Sequence, residues 1–198
     1  ENLADKLLLE IGLDNEEGWE IALLHEQGQA FLEEGNYKAA REVENEVLKR
    51  RPNFFSAHNN LSLVSWLEGK TEDAIAAAQA VLEKAPENVH ALSNLVQFQV
   101  IKGDEASARS YAERLLASQA EASDGWTKKV EGLSYLRDDA TVVEIFEQTE
   151  ATGEMENKGQ FSAMFFHLVG VALARLGRTD EAMTLSQKSL DNYGNYSL

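Results

Sequence analysis

Gly69-Lys70-Thr71 resembles the end of a phosphate-binding loop, where glycine lets backbone N–H groups reach the phosphate oxygens and lysine adds a cation. That loop needs another glycine five residues before Gly69, and Val64 stands there, in a segment patterned as a helix rather than a strand. His25-Glu26 has the opening of a zinc-protease helix, in which two imidazoles one turn apart hold the metal. Gln29 occupies the place of the second histidine. No G-x-S-x-G elbow offers a serine nucleophile. A chain without cysteine has no thiol nucleophile, thiolate zinc site or disulfide. His25, His58, His90 and His167 are dispersed, whereas a metal centre needs converging ligands. Carboxylate pairs are as common as 26% charged residues predicts, and read as solvated faces. The chain is therefore read as having no catalytic residue, no metal and no cofactor.

The elements that would position any functional residue follow one period. Gly35, Gly69 and Gly103 are 34 residues apart, as are Ala40, Ala74 and Ala108, and Pro52 and Pro86 keep the interval. Such a period marks a supersecondary unit repeated along the chain. In the second copy, Ala57, Leu61 and Val64 share a helical face. Gly69 then ends the helix, with Thr71 expected to cap the next one and Glu72 and Asp73 in its first turn. Ala74, Ala78 and Val81 face back, and Pro86 closes the copy. The third copy has Ala120 where proline is expected. A degenerate fourth copy places Trp126 and Phe146 in its aromatic slots, with Arg137 replacing the turn glycine and Val142 the alanine. Gly170, Gly177 and Ala182 restore the pattern in a fifth.

These residues carry a resemblance to the tetratricopeptide repeat family, most closely in Gly28, Gly35-Asn36-Tyr37, Ala40 and Pro52, with Asn60-Leu61 and Asn94-Leu95 matching a common pair of the family. The resemblance implies an all-α fold, a right-handed α-solenoid of antiparallel helix pairs. The expected organisation is repeats at 21–54, 55–88 and 89–122, a degenerate repeat at 123–156, an insertion at 157–162 and a repeat at 163–196. Residues 1–20 stand outside the frame as a capping helix or the remnant of a preceding repeat, with Leu3, Leu7, Leu8 and Ile11 on one face.

The resemblance further implies a concave groove lined by each repeat's first helix, binding a peptide, helix or domain of a partner. The residues expected to face it are His25, Gln29, Asn59, Asn60, Leu63, Trp66, His90, Asn94, Gln97 and Arg175. Neutral amides dominate this set. An amide both donates and accepts, so it can pair with a peptide backbone in either sense. Asn60 and Asn94 have the alternative of bonding within the scaffold, and Trp66 of packing in the core. Some family members clamp acidic chaperone tails with cations, but the positions that would carry them hold His25, His90 and Asn94, so that reading is set aside.

A net charge of −16, from 34 acidic and 18 basic residues, opposes contact with nucleic-acid phosphates and points to a neutral or basic protein ligand. No apolar run approaches the roughly 18 residues that cross a bilayer, and no membrane contact is expected. The composition fits a cytoplasmic protein. Asn60-Leu61-Ser62 and Asn195-Tyr196-Ser197 match the glycosylation pattern and are discounted as chance. The expected function is a non-enzymatic protein-interaction scaffold. Two alternatives stand beside it: an accessory or targeting domain of a larger enzyme or regulator, an expectation raised by a chain that starts at Glu1 rather than Met, and a module that self-associates end to end.

Overall fold

The computed structural model describes residues 16–119, 123–153, 155 and 160–194. Among them are ten helices: α1 (Glu16–Glu33), α2 (Tyr37–Arg50), α3 (Phe55–Leu67), α4 (Thr71–Lys84), α5 (Val89–Lys102), α6 (Glu105–Ala117), α7 (Ser123–Leu136), α8 (Asp139–Thr152), α9 (Gln160–Arg175) and α10 (Thr179–Gly194). The described residues contain no strand, and none of their helices is long and apolar enough to cross a membrane. The apolar face of Leu3, Leu7, Leu8 and Ile11, Ala120, and the Asn195 sequon lie outside the described residues. So do residues 157–159 of the expected insertion, whereas 160–162 already belong to α9.

Five helix-to-helix turns share one hydrogen-bond pattern, and glycine chemistry explains it. The N–H of Gly35 reaches Leu32 O while that of Asn36 reaches Phe31 O, at 3.1 and 2.8 Å. The same two bonds recur at Gly69-Lys70, Gly103-Asp104, Arg137-Asp138 and Gly177-Arg178. This is the paired closure that satisfies the last carbonyls of a helix, and it needs a left-handed residue. The four glycines have φ between 76° and 87°, and Arg137 adopts φ 56° in the fourth turn. A side chain in that conformation is strained by roughly 1–2 kcal/mol, partly offset by the lower entropy of a non-glycine unfolded chain. Arg137→Gly is therefore expected to raise stability by about 0.5–1 kcal/mol, read as a higher urea midpoint with an unchanged slope.

Helix starts follow the same register. Asn36, Asp104 and Asp138 each accept a bond from the backbone N–H three residues on, capping α2, α6 and α8. In the second repeat this position is Lys70, whose carbonyl accepts the Ala74 N–H at 3.0 Å. Thr71 is thus the first residue of α4 rather than its cap, a shift of one residue from the sequence expectation. The Lys70 side chain has no acceptor to offer, and its Nζ pairs instead with Glu68 at 2.7 Å.

The chain divides into two compact parts, one up to Val81 and one from Leu82. In the first, α3 packs on both α1 and α2 around Ile21, Val47 and Ala57, with Leu24, Leu48 and Phe54 alongside. Ser62 Oγ donates to Ala74 O at 2.8 Å, tying α3 to α4. In the second part, α7 packs on α5 and α6, α9 on α7 and α8, and α10 on α9. Its core includes Val96, Leu133, Phe146, Phe165 and Leu173, with Trp126 partly buried against it. The close approach of α7 depends on Gly132, where a Cβ would stand 2.7 Å from Leu115 Cδ2.

Where the third repeat lacks its proline, a neighbouring helix takes over the end of α6. Lys129 of α7 is buried and donates through Nζ to Leu116 O at 3.0 Å and to Ser118 O. Burial lowers its pKa. Its ammonium also lies 5.2 Å from the Trp126 ring centroid.

Candidate functional site

Positions two, six, nine and thirteen of each repeat fall at spacings of four, three and four, so they share one face of the first helix. On α3 these are Ser56, Asn60, Leu63 and Leu67, all reaching the surface, while Ala57, Asn59, Ser62, Val64 and Ser65 are buried. On α5 they are His90, Asn94, Gln97 and Ile101, against a wholly buried set that runs from Ala91 to Gln99 around them. The remaining rows are Ala22, Glu26, Gln29 and Glu33 on α1, Lys128, Glu131 and Tyr135 on α7, and Met164, Leu168, Val171 and Arg175 on α9.

The chemistry of these rows changes along the chain. In the N-terminal part, the α1 row is acidic, with Gln29 Nε2 donating to Glu33 at 3.4 Å, and the α3 row is amide and aliphatic. In the C-terminal part, the α5 row is imidazole, amide and aliphatic. The α7 row carries a Lys128–Glu131 ion pair at 2.6 Å. Burial, with Glu131 nearby, pushes the Tyr135 phenol up to about 12. The α9 row is apolar until Arg175, which pairs with Asp139 at 3.2 Å.

Seven of the ten residues expected at a groove lie on these rows: Gln29, Asn60, Leu63, His90, Asn94, Gln97 and Arg175. Asn59 does not; one residue along a helix turns the side chain by about 100°, and Asn59 is only 6% exposed. Trp66 is partly buried beside the α3 row, and His25 partly buried beside the α1 row.

His25 and Asn60 converge on a group that sequence reasoning missed. Glu44 of α2 is fully buried, in the slot that Phe146 fills in the fourth repeat. Its Oε1 accepts from Asn60 Nδ2 at 2.7 Å, and both carboxylate oxygens lie 3.1 Å from His25 Nδ1. With a carboxylate on that side, His25 carries its proton on Nδ1. The His25 ring stands edge-on to Phe54 at 5.1 Å. Gly28 makes room for Glu44, since a Cβ there would come within 2.7 Å of Oε1. The only signal in the sequence is a charged residue at a period position where another repeat has phenylalanine. Among the described residues no group of three or more His, Asp or Glu side chains is arranged to hold a metal.

Two family models described as tetratricopeptide repeat match residues 25–89 and 65–129. Together they span more than half of the chain, which belongs to the tetratricopeptide repeat family. The TPR repeat-containing protein YvcD of Bacillus subtilis (strain 168) is 27% identical over 96 residues, 48% of this chain and 20% of YvcD. The chain thus spans about a fifth of the length of that curated relative. A crystal structure of MamA aligns with 86% of this chain and 96% of its own, at 18% identity and a TM-score of 0.50. The structure of YrrB, described as a TPR protein with an unusual peptide-binding site, aligns with 99% of this chain and 95% of its own, at 15% identity and a TM-score of 0.47. At such identities the likeness to solved structures is one of fold.

Proposed function

We propose that this chain is a non-enzymatic interaction scaffold whose first-helix rows hold an extended segment or a helix of a partner protein. The observation that carries the reading is the pair of matched rows on α3 and α5. Each keeps amide and aliphatic side chains at the surface beside a buried set on the same helix, Ala57 to Ser65 on α3 and Ala91 to Gln99 on α5. Amides can meet a peptide backbone in either direction, at about 1 kcal/mol net for each bond, and each row adds apolar contacts of its own, Leu63 and Leu67 on α3 and Ile101 on α5. Glu26 and Glu33 on the α1 row, with the −16 net charge, favour a neutral or basic ligand over an acidic one. The same charge opposes nucleic acid.

Asn94 and Gln97 are the residues to vary, because Asn60 also holds Glu44 and its loss mixes binding with stability. Peptides selected from a displayed random library on the native chain are expected to be neutral or basic. They should bind the Asn94→Ala/Gln97→Ala variant at least roughly tenfold more weakly, as two lost hydrogen bonds imply. Peptides held equally by both chains would remove the α5 row from the binding surface.

A further inference from the structure

We infer that copies of this chain dock head to tail, α1 of one molecule covering the face of α9 and α10 on the next. Three helix pairs inside the chain are closed in the same way. The first helix of the following repeat does so: α3 covers α1 and α2, α7 covers α5 and α6, and α9 covers α7 and α8. A docked first helix buries the third residue of its repeat. Ala57 and Phe165 hold that position on α3 and α9 and have no exposed surface. On α1 the same position is Leu23, which is 67% exposed, and one turn before it Trp19 is 45% exposed.

The complementary face lies on the last described pair. Between α9 and α10 runs an open groove of about 400 Å³, with Gly170, Val171 and Ala174 on one wall and Ala182, Met183 and Leu190 on the other. Met183 and Leu190 are 68% and 65% exposed. The turn residues Arg137 and Gly177 set the register between the fourth and fifth repeats, and in that register Met183 corresponds to Val143. Val143 is buried in the core that α9 completes. The groove is therefore the same kind of surface that a first helix covers one repeat earlier, and α1 is a first helix with its apolar docking row exposed. Joining the two continues the contact already repeated within the chain. The partner is a second copy, and because the two faces differ each docked molecule still offers one free face, so a third copy can add to a dimer. The −16 net charge opposes close approach, so association strengthens as salt screens it. Leu23 and Trp19 lie off the α1 row, so the docking does not depend on the peptide-binding reading.

Sedimentation equilibrium on the full chain, from about 1 µM to about 1 mM, tests the proposal. The expected result is a mass that rises with concentration from 22.0 kDa past that of a dimer, and rises further in higher salt. Leu23→Glu and Met183→Glu each place a charge on an exposed position of one face and are expected to give monomers. An equimolar mixture of the two retains one good face on each molecule and is expected to form a one-to-one dimer that grows no further. Circular dichroism of both variants, with Leu190→Glu as a second groove change, confirms that they fold. A native chain that stays monomeric, association untouched by either substitution, or a mixture that remains monomeric overturns the inference.

Discussion

Glu44→Ala is expected to lower stability by about 3 kcal/mol or more. The substitution empties fully buried space and takes the acceptor from two donors at once, His25 Nδ1 and Asn60 Nδ2. Removing one partner from a buried charged network leaves the others desolvated, which costs far more than the net worth of the bonds. Glu44→Gln keeps the volume but brings an N–H₂ toward groups that already donate, so a smaller loss of about 1–2 kcal/mol is expected. Asn60→Ala, which leaves the carboxylate held by His25 alone, belongs in the same range. Urea unfolding of the three variants gives the ordering directly. A Glu44→Ala chain within about 0.5 kcal/mol of the native one would mean that the carboxylate is not integral to the packing of α1, α2 and α3.

Phe165→Ala is expected to cost about 3–5 kcal/mol, the range for deleting a buried aromatic side chain. Phe165 is fully buried on α9, edge-on to Phe166 with ring centroids 5.8 Å apart, in the core that joins α7, α8 and α9. The neighbouring helices are held by many further contacts and cannot collapse to fill the space. Phe165→Leu, which keeps most of the volume, should lose less than half as much. Thermal unfolding of the native, alanine and leucine chains reads the losses as lowered midpoints. An alanine variant with an unchanged midpoint would contradict the assignment of this core.

The turns and the helix pairs were legible in the sequence because backbone conformation demanded particular residues at a fixed interval. Glycine was required for positive φ at Gly35, Gly69, Gly103 and Gly177, and the replacement at Arg137 was visible as a departure from that rule and is a strained residue in the fold. The amide rows were legible as to helix but not fully as to face. Asn59 and Asn60 are adjacent and chemically identical, and only packing separates the buried one from the accessible one. Glu44 was not legible because a glutamate on an amphipathic helix reads as solvated surface. Its burial depends on Gly28 and on donors from two other helices, contacts that no local pattern records. The rows on α7 and α9 were mostly missed because amides give way there to an ion pair, a tyrosine and aliphatic residues, so the signal used for α3 and α5 is absent.

Nuclear magnetic resonance reveals whether the accessible rows of the first helices hold a partner segment. A selected peptide is titrated into isotopically labelled chain, following the side-chain amides of Asn94 and Gln97 with the backbone of α5 and α6. The largest shifts are expected at His90, Asn94, Gln97 and Ile101, with the exposed α6 residues Arg109 and Glu113 unmoved. Shifts concentrated at Arg109 and Glu113, with Asn94 and Gln97 unmoved, would contradict it.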